Sequence, residues 1–179
     1  MGCGASAESP SPPEAISRVG EALTNKTLRA ALKAWKANPG AAEATWGHIS
    51  RWNTSKVTDM QKCFGEWKTF SEDLSAWDTS SVTTMTWMFG YCKSFNHPLD
   101  KWDTSSVTNM SCMFYGCYVF NQPLASWDTS SVTDMQQMFA HCRAFNRPLA
   151  AWNTSSVKDK GKMFFHCPAT RPSWCPLPT

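Results

Sequence analysis

The sequence predicts an α/β repeat solenoid in which short parallel strands alternate with short helices behind an N-terminal capping helix. Three observations carry this. Tryptophan recurs at Trp52, Trp77, Trp102, Trp127 and Trp152, a period of 25 residues without an insertion. The copies between these marks repeat one order of apolar and polar residues, as in WDTSSVTTMTWMFGYCKSFNHPLDK and WDTSSVTNMSCMFYGCYVFNQPLAS. The segment ahead of the first tryptophan reads as an amphipathic helix with a stop signal. A unit this short cannot bury its own apolar side, so the copies must stack and both ends of the stack must be covered.

Residues 1–26 are expected to form a flexible tether. Met1-Gly2-Cys3-Gly4-Ala5-Ser6 fits the N-myristoylation pattern, which needs Gly2 exposed after removal of Met1. Cys3 beside it offers a palmitoylation site, and a second chain matters because one myristoyl group binds a membrane only marginally. No basic residue precedes Arg18, so a polybasic patch does not supply that second signal. The plain alternative is a chance start.

Residues 27–51 read as the N-terminal helical cap. Leu28, Ala31, Leu32 and Trp35 share one helical face, and Asn38-Pro39-Gly40 stops the helix. A short alanine-rich stretch and Ile49 then lead to Trp52.

Residues 52–167 hold the five repeats. In the fourth, Val132, Met135, Met138, Phe139 and Cys142 follow the spacing of one face of a short helix, with hydroxyls at Thr129, Ser130 and Ser131 for its N-cap. Phe145 to Trp152 is too short and too proline-marked for a helix, and reads as an extended segment. Stacking then superposes tryptophan on tryptophan and phenylalanine on phenylalanine, with Phe95, Phe120 and Phe145 as one such row. Rungs of paired strands lie about 4.8 Å apart. Residues 168–179, rich in proline, read as a C-terminal cap, and Lys158, Lys160 and Lys162 put charge where no further rung hides apolar groups.

Composition narrows the function. The 179 residues carry 17 basic and 14 acidic side chains, a net charge of +3, too mixed to point to nucleic acid. No apolar run approaches the roughly 18 residues of a membrane span, and no secretory h-region opens the chain. Nucleophile-and-base arrangements and Gly-rich phosphate loops are not found. The expectation is therefore no enzyme, no cofactor and no small-molecule substrate.

Cys92, Cys117, Cys142 and Cys167 share one repeat position, which Trp67 takes in the first copy. Metal binding is the sharper reading, but a row of ligands does not surround a tetrahedral ion. A thiol packed as a small hydrophobe is the plainer one, and no metal is expected. Asn53 and Asn153 begin sequons, yet stand where Asp78, Asp103 and Asp128 stand in other copies and so read as turn residues. Threonine recurs at 54, 79, 104 and 129, and again at 58, 83, 108 and 133. A flat array of this kind would suit ice or a mineral, while hydrogen bonding at turns explains it more simply. His97, Gln122 and Arg147 vary at one position, and Asp100 and Lys101 vary before Trp102. These five are the candidate binding surface, against the alternative of plain solvated side chains.

The repeat W-[DN]-T-S-x-V-T-x-M-x-x-M-F-x-x-C-x-x-F-N-x-P-L resembles that of BspA-like leucine-rich-repeat surface proteins, found in mycoplasmas, Listeria and unicellular algae, over about residues 27–167. The resemblance implies an atypical leucine-rich-repeat solenoid with adhesion or interaction roles and no catalytic residues. The resulting expectation is a protein-interaction scaffold with an unknown protein partner, held by acyl chains to the cytoplasmic face of a membrane. An exported cell-surface adhesin is the alternative.

Overall fold

The computed structural model describes residues 17–168. Helix α1 spans Asn25–Ala37 and α2 spans Pro39–Trp46, followed by a single 3-10 turn at Ile49–Arg51. Thr24 caps α1 through a capping box with Thr27, so two otherwise unpaired amides at the helix start are satisfied. The apolar stripe read from the sequence is the buried one: Leu28, Ala31, Leu32 and Trp35 all face inward. Asn38 ends α1 and also begins α2, its Oδ1 accepting from the amide of Ala41 at 3.2 Å. Pro39 therefore starts a second helix as well as ending the first, because proline is well suited to the first helical position. The alanine-rich stretch after it is helical.

The repeats depart from the expected alternation of strands and helices. Among the described residues there are no strands, only isolated parallel bridges, one between Ala22 and Asn53 and a series that links Asp59, Thr84, Asn109, Asp134 and Asp159 in succession. The segment expected to be helical is a run of tight turns. In the third copy the amides of Met113, Tyr115 and Cys117 bond back three residues, to Met110, Cys112 and Phe114. The alternate amides of Met110, Cys112, Phe114 and Gly116 bond forward to the carbonyls of Asp134, Gln136, Met138 and Ala140 in the next copy. Cys112 and Gly116 have φ of 54° and 69°, the positive φ that a type II turn requires at its third residue. An i, i+3 spacing of apolar side chains is thus produced by turns whose spare amides point along the stack. The same arrangement recurs in every copy that has a successor.

Side chains add a second ladder. The indole N–H of Trp77, Trp102, Trp127 and Trp152 donates to the carbonyls of Ile49, Leu74, Leu99 and Leu124, each 28 residues earlier. The rings of Trp102 and Trp127 stack at 6.5 Å and 2°. Phe89, Phe114, Phe139 and Phe164 stack at 5.6 Å between centroids, and Phe95, Phe120 and Phe145 stack beside them. The result is one continuous aromatic core from Leu23 to Phe164.

The amino-terminal end is closed by side chains that stand in for a missing rung. Between copies, the amides of Thr83, Thr108 and Thr133 donate to Thr58, Thr83 and Thr108. For the first copy, Oδ1 of Asn25 in α1 takes that place, accepting from the amides of Thr58 and Asp59 at 2.9 and 3.1 Å. The carbonyl of Gln61, whose counterparts accept amides from the copy before, accepts from the guanidinium of Arg29. Residues ahead of α1 join this end too. Leu23 donates its amide to Asn53 at 2.8 Å and Ala22 bridges Asn53, so the part of the expected tether from Ala22 onward is packed. The rest of the tether up to residue 16, with Gly2 and Cys3, and the tail 169–179 lie outside the described residues.

Candidate interaction face

The tight turns that build each rung set four positions along one face, at 87, 90, 91 and 93 in the second copy and 25 residues on in the next; the large aromatic and charged side chains there are half-buried or exposed, while Gly90, Cys112, Gly116 and Ala140 are buried. Two of the four, typified by Trp87 and Tyr91, hold a left-handed backbone. Aromatic rings fill many of these places. Trp87 and Tyr115 stack at 5.3 Å, Tyr91 meets Tyr115 edge-on at 5.2 Å, and Tyr115 meets His141 at 5.2 Å. His141 then packs on Phe165 and His166, at 5.5 and 5.1 Å. The strip therefore crosses four successive copies, and most of its rings are half-buried.

Glycine makes room for the rings to lie flat. A Cβ at Gly90 would fall 2.3 Å from a ring carbon of Trp87, and one at Gly116 would fall 2.7 Å from Tyr91. Neither approach is compatible with another residue unless the ring lifts. Beside the strip, Tyr118 lies between two cations: Lys93 Nζ is 4.8 Å and the Arg143 guanidinium 4.3 Å from its ring centre. Burial, followed by the neighbouring Tyr91 hydroxyl, pushes the Tyr115 phenol up.

At the amino-terminal end the strip runs into two adjoining hollows. One, of about 380 Å³, is lined by Trp35, Lys36, Pro39, Trp67, Lys68 and Phe70 among others; the second, of about 290 Å³, by Lys62, Gly65 and Trp87. Glu66 borders both. Lys36 Nζ sits 5.3 Å over the Trp67 ring. Across the outward positions of all five copies, Lys62, Lys68, Lys93, Arg143 and Lys162 face a single acid, Glu66. That is net +4 where the whole chain carries +3.

The residues singled out from sequence lie elsewhere. His97 Nε2 is 2.8 Å from the carbonyl of Ser71, and Gln122 Nε2 donates to the carbonyl of Asn96 at 2.9 Å. Arg147 Nε donates to the carbonyl of Asn121 at 2.8 Å. All three side chains reach back 26 residues and engage backbone of the preceding rung. Asp100 and Lys101 are exposed, with the Asp100 carbonyl accepting from Ser126. The cysteine row lies in the core, where the thiols of Cys92, Cys117 and Cys142 donate to Phe64, Phe89 and Phe114 carbonyls at 3.0, 3.0 and 2.8 Å. Burial pushes the Cys92 thiol up to about 12 and those of Cys117 and Cys142 well above their ordinary value.

Threonines 54, 79, 104 and 129 are buried, each hydroxyl donating at 2.8 Å to a carbonyl 24 residues on. That row is internal and offers no array to ice. Asn53 and Asn153 cap their turns, accepting from the amides of Ser55 and Ser155. No group of three or more His, Cys, Asp or Glu among the described residues is arranged to hold a metal ion. Nor is any described helix long and apolar enough to cross a membrane.

Residues 33–129 and 99–172 each match the family described as Mycoplasma protein of unknown function, DUF285. The two matches together run through most of the chain. The protein belongs to the DUF285 family. This is a repeat family of the BspA-like, leucine-rich-repeat type. No match was found among curated proteins or among solved structures.

In this DUF285 protein the aromatic face was missed from sequence because its rings do not recur at one repeat position. Trp87, Tyr91, Tyr115, Tyr118 and Phe165 fall at four different places in the 25-residue frame. The available signal was an aromatic surplus at positions the repeat does not fix.

Proposed function

We propose that this DUF285 protein is a non-enzymatic interaction scaffold: a rigid solenoid of the atypical leucine-rich-repeat type, tethered to a membrane through acyl chains at Gly2 and Cys3, that binds a protein partner. The aromatic strip from Trp87 to His166 carries this reading. Tryptophan, tyrosine and arginine are the residues that dominate binding energy at protein interfaces, and rigid rings lose little conformational freedom on contact. The strip also lies flat on a hydrogen-bonded stack, so the surface is organised before any partner arrives. What supports a cytoplasmic scaffold over the exported adhesin is the thiol chemistry: the six described cysteines are free, and three of them donate to core carbonyls. Oxidising environments favour paired cysteines.

Two measurements test the reading. Expressed in full in eukaryotic cells with a myristate analogue, the chain should label at Gly2 and fractionate with membranes. Gly2→Ala should move it to the soluble fraction, and an Ala variant that stays with membranes overturns the tether. Tyr115→Ser combined with Tyr118→Ser should abolish partner cross-linking while Asp100→Ala with Lys101→Ala leaves it intact. The opposite pattern moves the binding surface to the other face.

A further inference from the structure

We infer that the partner is an acidic, extended peptide segment that lies along the aromatic strip and seats an apolar side chain in the hollows beside Glu66. The inference rests on the scaffold reading and adds the chemistry of the occupant.

Charge is the first argument. The outward positions concentrate five cations against one carboxylate, and they do so at the edges of the strip. Lys62 borders the hollow that Trp87 closes, and Lys93 and Arg143 bracket Tyr118 one copy to either side. Complementary charge sets register and steers the approach of a binding partner. The two cations that bracket Tyr118 both contact its ring, so an incoming carboxylate meets guanidinium and ammonium groups already placed.

Shape is the second argument. Rings repeat from one copy to the next, between 5.2 and 5.5 Å apart over Tyr91, Tyr115, His141 and Phe165. That is a linear track, matched to a chain that is itself extended. The track ends in concave space: a hollow of about 380 Å³ with Trp35, Pro39, Trp67 and Phe70 among its walls, large enough for one apolar side chain as an anchor.

An anionic membrane surface shares the charge but not the shape. Membrane contact uses aromatic and aliphatic side chains that project into the interface. Here the rings of Trp87 and Tyr91 lie down over Gly90 and Gly116, which favours stacking against a second chain over insertion.

The test is selection from an unbiased random peptide library displayed on phage against the full chain. Enriched peptides should be rich in Asp and Glu around an apolar residue. As synthetic fluorescent peptides they should bind at least tenfold more weakly to Lys93→Glu with Arg143→Glu, and more weakly as salt rises. Thermal unfolding of that double variant, at two exposed or half-exposed sites, checks that it folds as the parent does. Enriched peptides without acidic character that still lose binding in Tyr115→Ser with Tyr118→Ser overturn the acidic partner and leave the scaffold standing. No enrichment, or binding indifferent to both sets of variants, overturns both. Binding to vesicles of phosphatidylcholine with phosphatidylserine that is stronger than to any selected peptide, and lost with the same charge reversal, overturns the peptide in favour of lipid.

Discussion

The indole N–H of Trp102 donates to the carbonyl of Leu74 at 3.0 Å, so the largest side chain of one rung closes a backbone acceptor of the rung before it. Trp102 is 3% exposed and also stacks on Trp127. Trp102→Ala removes the ring, leaves a cavity between rungs and takes from the Leu74 carbonyl one of its two donors, the other being the Trp77 amide, and should cost about 3–5 kcal/mol. Trp102→Phe keeps most of the volume and loses the donor, while the Leu74 carbonyl keeps the Trp77 amide, so it should cost about 0.5–1.5 kcal/mol. Urea denaturation of the two variants separates them; a Trp102→Phe variant as stable as the parent would mean that the hydrogen bond contributes nothing.

The amino-terminal closure is testable residue by residue. Asn25 Oδ1 accepts from Thr58 and Asp59 as the carbonyl of an absent rung would, and Arg29 supplies the matching donor to Gln61. Asn25→Ala should cost about 1–2 kcal/mol and raise hydrogen exchange first at the amides of Thr58 and Asp59. Exchange that rises evenly through all five copies would instead make the end no weaker than the middle.

Much of this architecture was legible in the sequence, and the part that was not has a specific cause. Trp52, Trp77, Trp102, Trp127 and Trp152 disclosed the period, and Leu28, Ala31, Leu32 and Trp35 disclosed the buried face of α1. Helices within the repeats were misread because side-chain spacing records which residues point inward, not where their amides bond. Met110, Met113, Phe114 and Cys117 fit one face of a helix, yet the amides of Met110 and Phe114 bond to the next copy. The surface at His97, Gln122 and Arg147 looked variable and free, but each of these side chains engages a carbonyl one rung back. Only the stacked structure reveals that use.

The left-handed positions yield a paired prediction. Gln137 and Gly116 have φ of 54° and 69°, a region that costs an ordinary residue about 1–2 kcal/mol. Gly116→Ala should be destabilising by at least that much, since its new methyl group also meets Tyr91 at 2.7 Å. Gln137→Gly relieves strain in the folded chain while freeing the unfolded one, so the two effects offset and the change should stay within about 1 kcal/mol. A loss as large as that of Gly116→Ala would show that the Gln137 side chain holds the turn.

Buried thiols give the stack an alkaline limit. An unfolded thiol titrates near its ordinary value of 9.0, whereas burial holds Cys63 and Cys92 up to about 12 and raises Cys117 and Cys142 well above 9.0. Above pH 9 the unfolded chain sheds these protons and the folded chain keeps them. The folded state then binds more protons, and stability falls as pH rises. Below pH 9 the contribution is complete; between 9 and about 12 it drains away, at up to about 1.4 kcal/mol per pH unit for each thiol. Denaturation at pH 8 and pH 10 should show this loss, and Cys117→Ala should shrink the difference, because that variant has one fewer proton to lose on unfolding. An unchanged difference would place the alkaline sensitivity outside Cys117.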